Sequence, residues 1–496
     1  MSNYCGNRLG ERTSEYYIIF LSLLRREAVL NKDFDLLVSG AETEGCLAAC
    51  VAAHLGAKVA LLFPGDHLGG LLTSGGLSYV DRDSRHLQHP FDSPEDGIFG
   101  EFLRRSGVKM VSLDPARGEK TLREMLEKEG VFCLKGEVQS AKIEHHFLSS
   151  IRLKDGNRLS SKFFLDATQD GDLAELAGIS FATGFREYGI PRFLGVSPLP
   201  QVEGVTPRRI YETCLRLSMD PNLEDLKRKF FGDRRFNQLE LGTDYLLIGP
   251  PHLGLAYQKW REEKNYPFPH AFEADGFNVA ILGPETTSWN GLIYFSEDPK
   301  TLLHWSRSGI DGVFYQEAKI FEGFLREGLG WKEAVVKLPD SLYVRQTRHA
   351  LGTRRRLSLG EILRNEGIER TGSFCYYPDF RGFRSLSLPY PLVAPIPLST
   401  GLFEKIPNLG IASRAGGYTP FAHSLCRLVQ FNANLGAALG VSAAFAERDL
   451  SEVPVEEIRK ALQHLKILSD DREGAERNLE VLSALAKDPM FALEGG

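Results

Sequence analysis

Apolar residues in the early part of the chain gather into short, nearly continuous runs. Phe34-Asp35-Leu36-Leu37-Val38-Ser39 is the first and Lys58-Val59-Ala60-Leu61-Leu62-Phe63 the second. Runs of this length without a polar face predict strands covered on both sides, as in a parallel sheet between layers. Between them, Gly40 to Gly45 forms a glycine turn, and the small residues from Cys46 to Leu55 predict a helix ended by Gly56-Ala57. Strand, glycine turn, helix and strand within about 30 residues is the spacing of a βαβ nucleotide-binding unit.

The pattern continues with a glycine-rich loop over 68–77 and predicted helices near 97–106 and 116–129. Strands are expected over 131–134, 137–143 and 151–153, with Asp155-Gly156 as a turn. Phe163 to Thr168 reads as another buried strand, followed by a polar turn and a helix over 172–177. From about 185 to 340 prolines, aromatics and charged helical stretches alternate without a glycine fingerprint. Arg345 to Gly352 leads back, Leu409 to Ala412 is a short strand, and Arg427 to Arg448 reads as one long Ala/Gly-rich helix. Residues 453–496 read as helical and surface-exposed.

The expected fold is therefore α/β. A Rossmann-like nucleotide-binding domain, three-layered around a mainly parallel sheet, is assembled from both ends of the chain around an inserted α+β substrate domain. The divisions are an N-terminal extension 1–33, the first part of the nucleotide-binding domain 34–185, the insert 186–340, the second part 341–450, and a helical tail 451–496.

Composition narrows the function classes. A formal net charge of −6 and basic clusters no longer than Lys227-Arg228-Lys229 and Arg354-Arg355-Arg356 argue against a nucleic-acid partner. Seven cysteines, an odd number with no CxxC pair, argue against a disulfide framework, a structural zinc site or an iron–sulfur cassette. Free thiols are expected, including Cys46 and Cys50 on one helix face. No apolar run has the length of a membrane span, so none is expected, and a cytoplasmic location follows by default. Residues 14–30 read as an amphipathic helix or a poorly ordered extension. No metal site is expected; His86 and His89 sit on a polar stretch that reads as a surface loop.

The glycine turn departs from the usual fingerprint. Gly40 and Gly45 hold its first and third glycine places, but Glu42 stands at the second. Glu44 adds a further negative charge, and Phe63 stands where the ribose-binding acid is expected. An acidic side chain at the start of a helix offsets the attraction of that terminus for a phosphate. Read alone, the turn fits either nucleotide binding or an α/β turn whose glycines serve packing.

Four segments in chain order carry a family resemblance. They are His67-Leu68-Gly69-Gly70-Leu71-Leu72-Thr73-Ser74-Gly75-Gly76-Leu77, then Asp166 to Ala174, then Tyr343-Val344-Arg345-Gln346-Thr347-Arg348, and finally Asn408 to Arg414 with Arg427, Gly436 and Gly440. They resemble the FAD-dependent oxidoreductases of the glutathione-reductase-like superfamily, most closely a bacterial group whose loop reads H-L-G-G-M-L-T-S-G-G-L. The matches cover the first and last thirds; 185–340 carries none. Departures are Glu42, Phe63, Ser413 in place of a glycine, and Pro420 in place of a histidine, with His423 three residues on.

The resemblance implies FAD as cofactor. Gly40 and Gly45 would face the pyrophosphate. Gly69, Gly70, Thr73 and Ser74 would approach the ribityl chain or ring. Asp166, Ala167 and Thr168 would lie against the FAD, with Arg414, Arg427 and Gly436 closing over it. Each arginine has an alternative role in an internal ion pair. Arg345, Arg348, Tyr418 and His423 are the candidate catalytic residues. The expected function is oxidation or reduction of a small organic molecule bound by the insert, with the electron acceptor or partner protein left open. The alternative is a non-catalytic subunit or scaffold that has lost tight FAD binding. A nicotinamide-only enzyme has no use for the 67–77 loop.

Overall fold

In this computed structural model, residues 34–85, 97–231, 238–249, 252–266, 271–365, 367–381 and 391–465 are described. The expectations for residues 14–30, for His86 and His89, and for the tail beyond 465 lie outside them.

The first sheet is built from β1 (Phe34–Ser39), β2 (Val59–Phe63), β3 (Phe132–Lys135), β4 (Val138–Glu144), β5 (Phe147–Leu153), β6 (Arg158–Asp166) and β7 (Leu409–Ile411). Its order is β3-β2-β1-β6-β5-β4, with β7 also on β6. β1, β2, β3, β6 and β7 run parallel, whereas β4 and β5 form an antiparallel meander into β6. β1 leads through α1 (Thr43–His54) to β2, and β2 reaches β3 through α2 (Gly97–Arg105) and α3 (Pro115–Lys128).

Alternate residues of the central strands enter two different cores. Leu36, Val38, Leu61 and Phe163 face a helical layer that includes α1, while Leu37, Ala60, Leu62 and Phe164 face Leu148, Ile151 and Leu173. Covering on both sides is why these strands are apolar at nearly every position. Leu173 belongs to α4 (Asp172–Leu176).

The C-terminal part returns to this domain. β7 inserts beside β6, and the helices α5 (Pro420–Cys426) and α6 (Val429–Phe445) follow. The long helix expected over Arg427 to Arg448 is α6, and α5, which that reading did not include, precedes it at an angle of 87°. The break is at Leu428, which takes an extended backbone (φ −68°, ψ 143°) and caps α6. α6 lies against α1 at a close crossing. A Cβ on Gly436 would sit 3.1 Å from the Glu44 carbonyl oxygen, and one on Gly440 only 2.7 Å from that of Ala48. Small residues there set the interhelical distance. After α6, α7 (Val455–His464) is not wholly exposed as expected, because Ile458 and Leu462 are buried in the core shared with α1 and α6.

Residues 196–344 contribute an eight-stranded antiparallel sheet whose spine is the hairpin Ala271–Gly283 with Thr286–Phe295. Tyr343–Val344 pairs with Val196–Ser197 at one edge. Helices including Leu253–Glu263, Pro299–Arg307 and Gly312–Gly323 cover it, around Trp289, Trp305 and Trp331. No described helix is by itself long and apolar enough to cross a membrane; α5 and α6 pass that test only as the bent pair, and both are buried.

Candidate functional site

The glycine turn sits where β1, β6 and α1 converge. Gly40 has φ +103°, a region few side chains tolerate. A Cβ on Gly40 would lie 2.5 Å from the Ala167 carbonyl carbon, and one on Gly45 2.6 Å from the Ala167 Cβ. Both glycines therefore hold β6 and α1 close to β1, and Ala167 is their common neighbour. Asp166, wholly buried, accepts from the Thr168 backbone N–H (3.0 Å), the Thr168 hydroxyl (2.7 Å) and the Ala174 N–H (2.7 Å). It orders the strand end. Burial pushes its carboxyl up to about 6, offset by these bonds.

The 68–77 loop docks directly on the turn. Gly69 N–H donates to the Ala41 carbonyl (2.7 Å), and the Thr43 hydroxyl donates to the Gly69 carbonyl (2.9 Å). Gly69 and Gly70 have φ +91° and +50°. The hydroxyls of Thr73 and Ser74 turn inward to the Leu68 carbonyl (2.5 Å) and the Gly70 carbonyl (3.1 Å). Glu42 is half-buried at the N-cap of α1 but makes no side-chain cap bond there. Its carboxylate crosses to the loop, accepting from Leu71 N–H at 2.9 Å and from Gln169 Nε2 at 3.1 Å. Burial raises both Glu42 and Glu44 above the usual carboxylate range. Glu44, next to the Glu42 charge, is pushed up to about 8.

Opposite stand three guanidiniums. Arg414 pairs with Asp170 (2.8 Å), also bonding the Ser306 hydroxyl (2.6 Å) and the Val344 carbonyl. Asp170 further accepts from Thr347 Oγ1 (2.6 Å) and Ser306 Oγ (2.5 Å). Burial opposes its ionisation, but Arg414 and the two hydroxyls hold the carboxyl below its usual range. Arg427 pairs with Asp379 (2.5 Å) and bonds the Tyr343 hydroxyl. Arg345, 1% exposed, is held among the described residues by neutral acceptors: the Gly195 carbonyl (3.0 Å), Ser197 Oγ (2.9 Å) and Asn290 Oδ1 (2.9 Å). Its guanidinium lies 4.3 Å from the centre of the Tyr343 ring, and burial lowers it to about 10. The ion-pair alternative considered for Arg414 and Arg427 is thus realised in both.

Glu42, Leu71 and Gln169 on one side and Arg345, Arg414 and Arg427 on the other enclose a cavity of about 20 Å³. A larger cavity of about 230 Å³ lies at the other end of α1, by Cys50, His54 and Leu465, away from the glycine turn and the arginines.

Of the sequence-predicted catalytic residues, only Arg345 lines the small cavity. Arg348 pairs with Glu175 (2.6 Å) over the Phe181 ring. The Tyr418 hydroxyl donates to Asn432 (2.9 Å). His423 Nε2 lies 2.9 Å from the Arg345 carbonyl oxygen, which makes that nitrogen the protonated one. Burial and the neighbouring His349 hold the ring neutral, well below its usual value. Among the predicted cofactor contacts, Arg414 and Arg427 line the cavity; the glycines, Thr73, Ser74 and Asp166 to Thr168 do not, and Gly436 sits at the α1–α6 crossing. Gln169, Asp170 and Asp379, absent from the sequence reading, belong to the site. Gln169 and Asp170 lie in the same Asp166–Ala174 segment, from which the sequence reading names only Asp166, Ala167 and Thr168 as cofactor contacts.

Tested against FAD, these residues fit in part. The turn, the loop and the arginines are a set that suits a dinucleotide: a helix start, backbone N–H groups and guanidiniums for phosphates. As arranged here they do not fit it. The Glu42 carboxylate takes the Leu71 N–H, Asp170 and Asp379 take two of the three arginines, and the remaining space holds about one water.

The family model described as FAD dependent oxidoreductase matches residues 35–462. Similar solved structures include GidA of Aquifex aeolicus, at 13% identity over 92% of this chain and 76% of that one, with a TM-score of 0.43. The flavin-dependent brominase Bmp2 aligns at 11% identity over 93% and 89%, with a TM-score of 0.42. The myxobacterial chondrochloren halogenase CndH aligns at 11% over 94% and 86%, also at 0.42. Glycine turn, parallel sheet and a match spanning nearly all the described residues lead to one assignment: the chain belongs to the FAD dependent oxidoreductase family.

Proposed function

We propose that this chain is an FAD-dependent oxidoreductase acting on a small organic substrate, with the flavin taken up in a conformation other than the closed one described above and therefore held loosely. FAD is the cofactor of the family to which the chain belongs. The observation that carries the reading is the convergence of Arg345, Arg414 and Arg427 with the glycine turn on one cavity where the two sheets meet. Guanidiniums in that position suit the phosphates of a dinucleotide or the charge of a reduced ring. The protein's part in such chemistry is position, electrostatics and exclusion of water around the cofactor.

The test is a visible absorbance spectrum of the purified chain, alone and after incubation with excess FAD and gel filtration at low temperature. Flavin bands that stay with the protein and bleach on addition of a reductant are expected. No bands, and no quenching of flavin fluorescence on titration, would refute the reading. A second reading, a non-catalytic member kept as a subunit or scaffold, is favoured by the closed state of the site, with Glu42 on the loop and Asp170 and Asp379 on the arginines.

A further inference from the structure

We infer that Glu42 is the residue that sets this chain's affinity for FAD, because its carboxylate occupies the phosphate-binding corner of the glycine turn. The inference rests on the reading of Gly40 to Gly45 as a nucleotide turn.

Three observations carry it. First, the carboxylate leaves its own helix for the loop. Glu42 has an extended backbone (φ −60°, ψ 162°) at the start of a 12-residue helix and makes no cap bond, accepting instead from Leu71 N–H and Gln169 Nε2. Second, it fills the bare face of Gly70. A Cβ on Gly70 would lie 1.9–2.1 Å from the three carboxylate atoms of Glu42. A glycine in such a loop lets a ligand approach the backbone closely, and here the chain's own side chain makes the approach. Third, little space remains. The cavity beyond the carboxylate is about 20 Å³, against roughly 300–1,000 Å³ for a small-molecule or cofactor site.

Electrostatics explains why the carboxylate rests there. Burial raises the Glu42 carboxyl, and the Leu71 and Gln169 bonds, Arg414 and the helix start oppose that rise, so Glu42 sits in the same field that would attract a phosphate. FAD must first displace it. The apparent affinity is the intrinsic one reduced by the fraction of molecules in which Glu42 has turned away. An open fraction of about 1–10% weakens binding roughly 10- to 100-fold.

The experiment is a titration of the full-length chain with FAD, followed by flavin fluorescence, on the wild type, Glu42→Ala, Glu42→Ser and Glu42→Gln. Serine is a good N-cap residue and serves if the alanine variant folds poorly. The Ala and Ser variants are expected to bind FAD at least about tenfold more tightly than the wild type. Glu42→Gln, equal in length and able to accept from Leu71 N–H but without the charge, is expected to fall between the wild type and the Ala variant. If the wild type binds tightly and shortening residue 42 changes nothing, the inference falls while the oxidoreductase reading stands. If no variant takes up FAD, both fall.

A second measurement needs no flavin. Gly70→Ala collides with the carboxylate, and its positive φ is a strain common to every background. Its loss of thermal midpoint should therefore be clearly smaller in the Glu42→Ala background than in the wild type. Equal losses in both backgrounds overturn the placement of the carboxylate.

Discussion

Asp170→Asn tests the hinge of the site, since Asp170 joins three separated stretches of chain. It pairs with Arg414 beside β7, and accepts from Thr347 in the returning segment and Ser306 in the insert. The Asp170 and Arg414 side chains are 2% and 7% exposed. Asparagine keeps the shape and an acceptor but removes the charge, leaving the Arg414 guanidinium buried beside neutral partners. Breaking a buried pair from one side costs about 3–5 kcal/mol. Unfolding entropy of about 2 cal/mol/K per residue makes that about a 3–5 °C fall in thermal midpoint for a chain of this size. The assay is a thermal melt at neutral pH of the wild type, Asp170→Asn, Arg414→Met and the double variant. The double variant should lose much less than the sum of the two single losses, because no charge is then stranded. Acid adds a sign. The folded Asp170 carboxyl lies below its unfolded value, so its contribution is present above the unfolded value, about 3.9, and lost as pH falls through the folded one. Asp170→Asn should therefore flatten the acid limb of the stability curve. Additive single losses, or a midpoint shift under about 1 °C, would refute the account.

Two further predictions concern α1. Glu44 is buried and pushed up to about 8 by burial and the Glu42 charge; a raised carboxyl favours the folded state below its unfolded value, about 4.3, and the advantage is lost as pH rises through the folded one. The wild type should lose stability between about pH 4.5 and 8, by an amount on the order of a few kcal/mol, and Glu44→Gln should remove most of that slope in melts across the range. Gly440→Ala should lower the midpoint by about 1–3 °C, as overpacking of about 1–3 kcal/mol would, since its Cβ would meet the Ala48 carbonyl oxygen at 2.7 Å; an unchanged melt would mean that α1 and α6 separate at little cost.

What was legible in the sequence was the part whose environment repeats. β1, β2 and β6 are covered on both faces, so their burial shows as unbroken apolar runs, and the turn after β1 shows as glycines because Ala167 leaves no room for a Cβ. The insert gave no such signal. Its spine hairpin is interrupted by bulges between Ala274 and Asn278 and between Ile281 and Gly283, which break the alternation that marks an antiparallel strand. The start of α6 was legible at Arg427, but α5 before it was not: it is seven residues long, too short to show a helical period, and every one of them is buried. Partners were less legible than positions. Glu42 stood out as a misfit in the turn, but that its carboxylate would reach Leu71, 29 residues on, and cover Gly70 is a matter of packing between segments, which composition does not encode. Asp170 was passed over for the same reason, as its partners come from residues 306, 347 and 414.

The charges around the cavity explain why a carboxylate inside the glycine turn is compatible with the rest of the fold. Asp170 and Asp379 each answer one guanidinium, Arg414 and Arg427, and both carboxyls are held below their usual range in spite of burial. Arg345 bonds neutral acceptors, and burial draws it down to about 10. Arg345 thus lines the cavity with no carboxylate bonded to it among the described residues, and the carboxyls that line the same cavity, Glu42 and Glu44, are both raised by burial, Glu44 to about 8. A buried guanidinium is tolerated when a negative charge is near; Asp379 is the carboxylate near Arg345, and Glu42 lies in the field of Arg414. A dinucleotide phosphate would supply the same charge from outside. The two cannot share the Gly70 face, and a second anion beside Glu42 would raise its carboxyl further. Protein carboxylate and ligand phosphate are therefore alternative solutions to one electrostatic requirement, which is why a family fold can persist around this turn whether or not flavin occupies it.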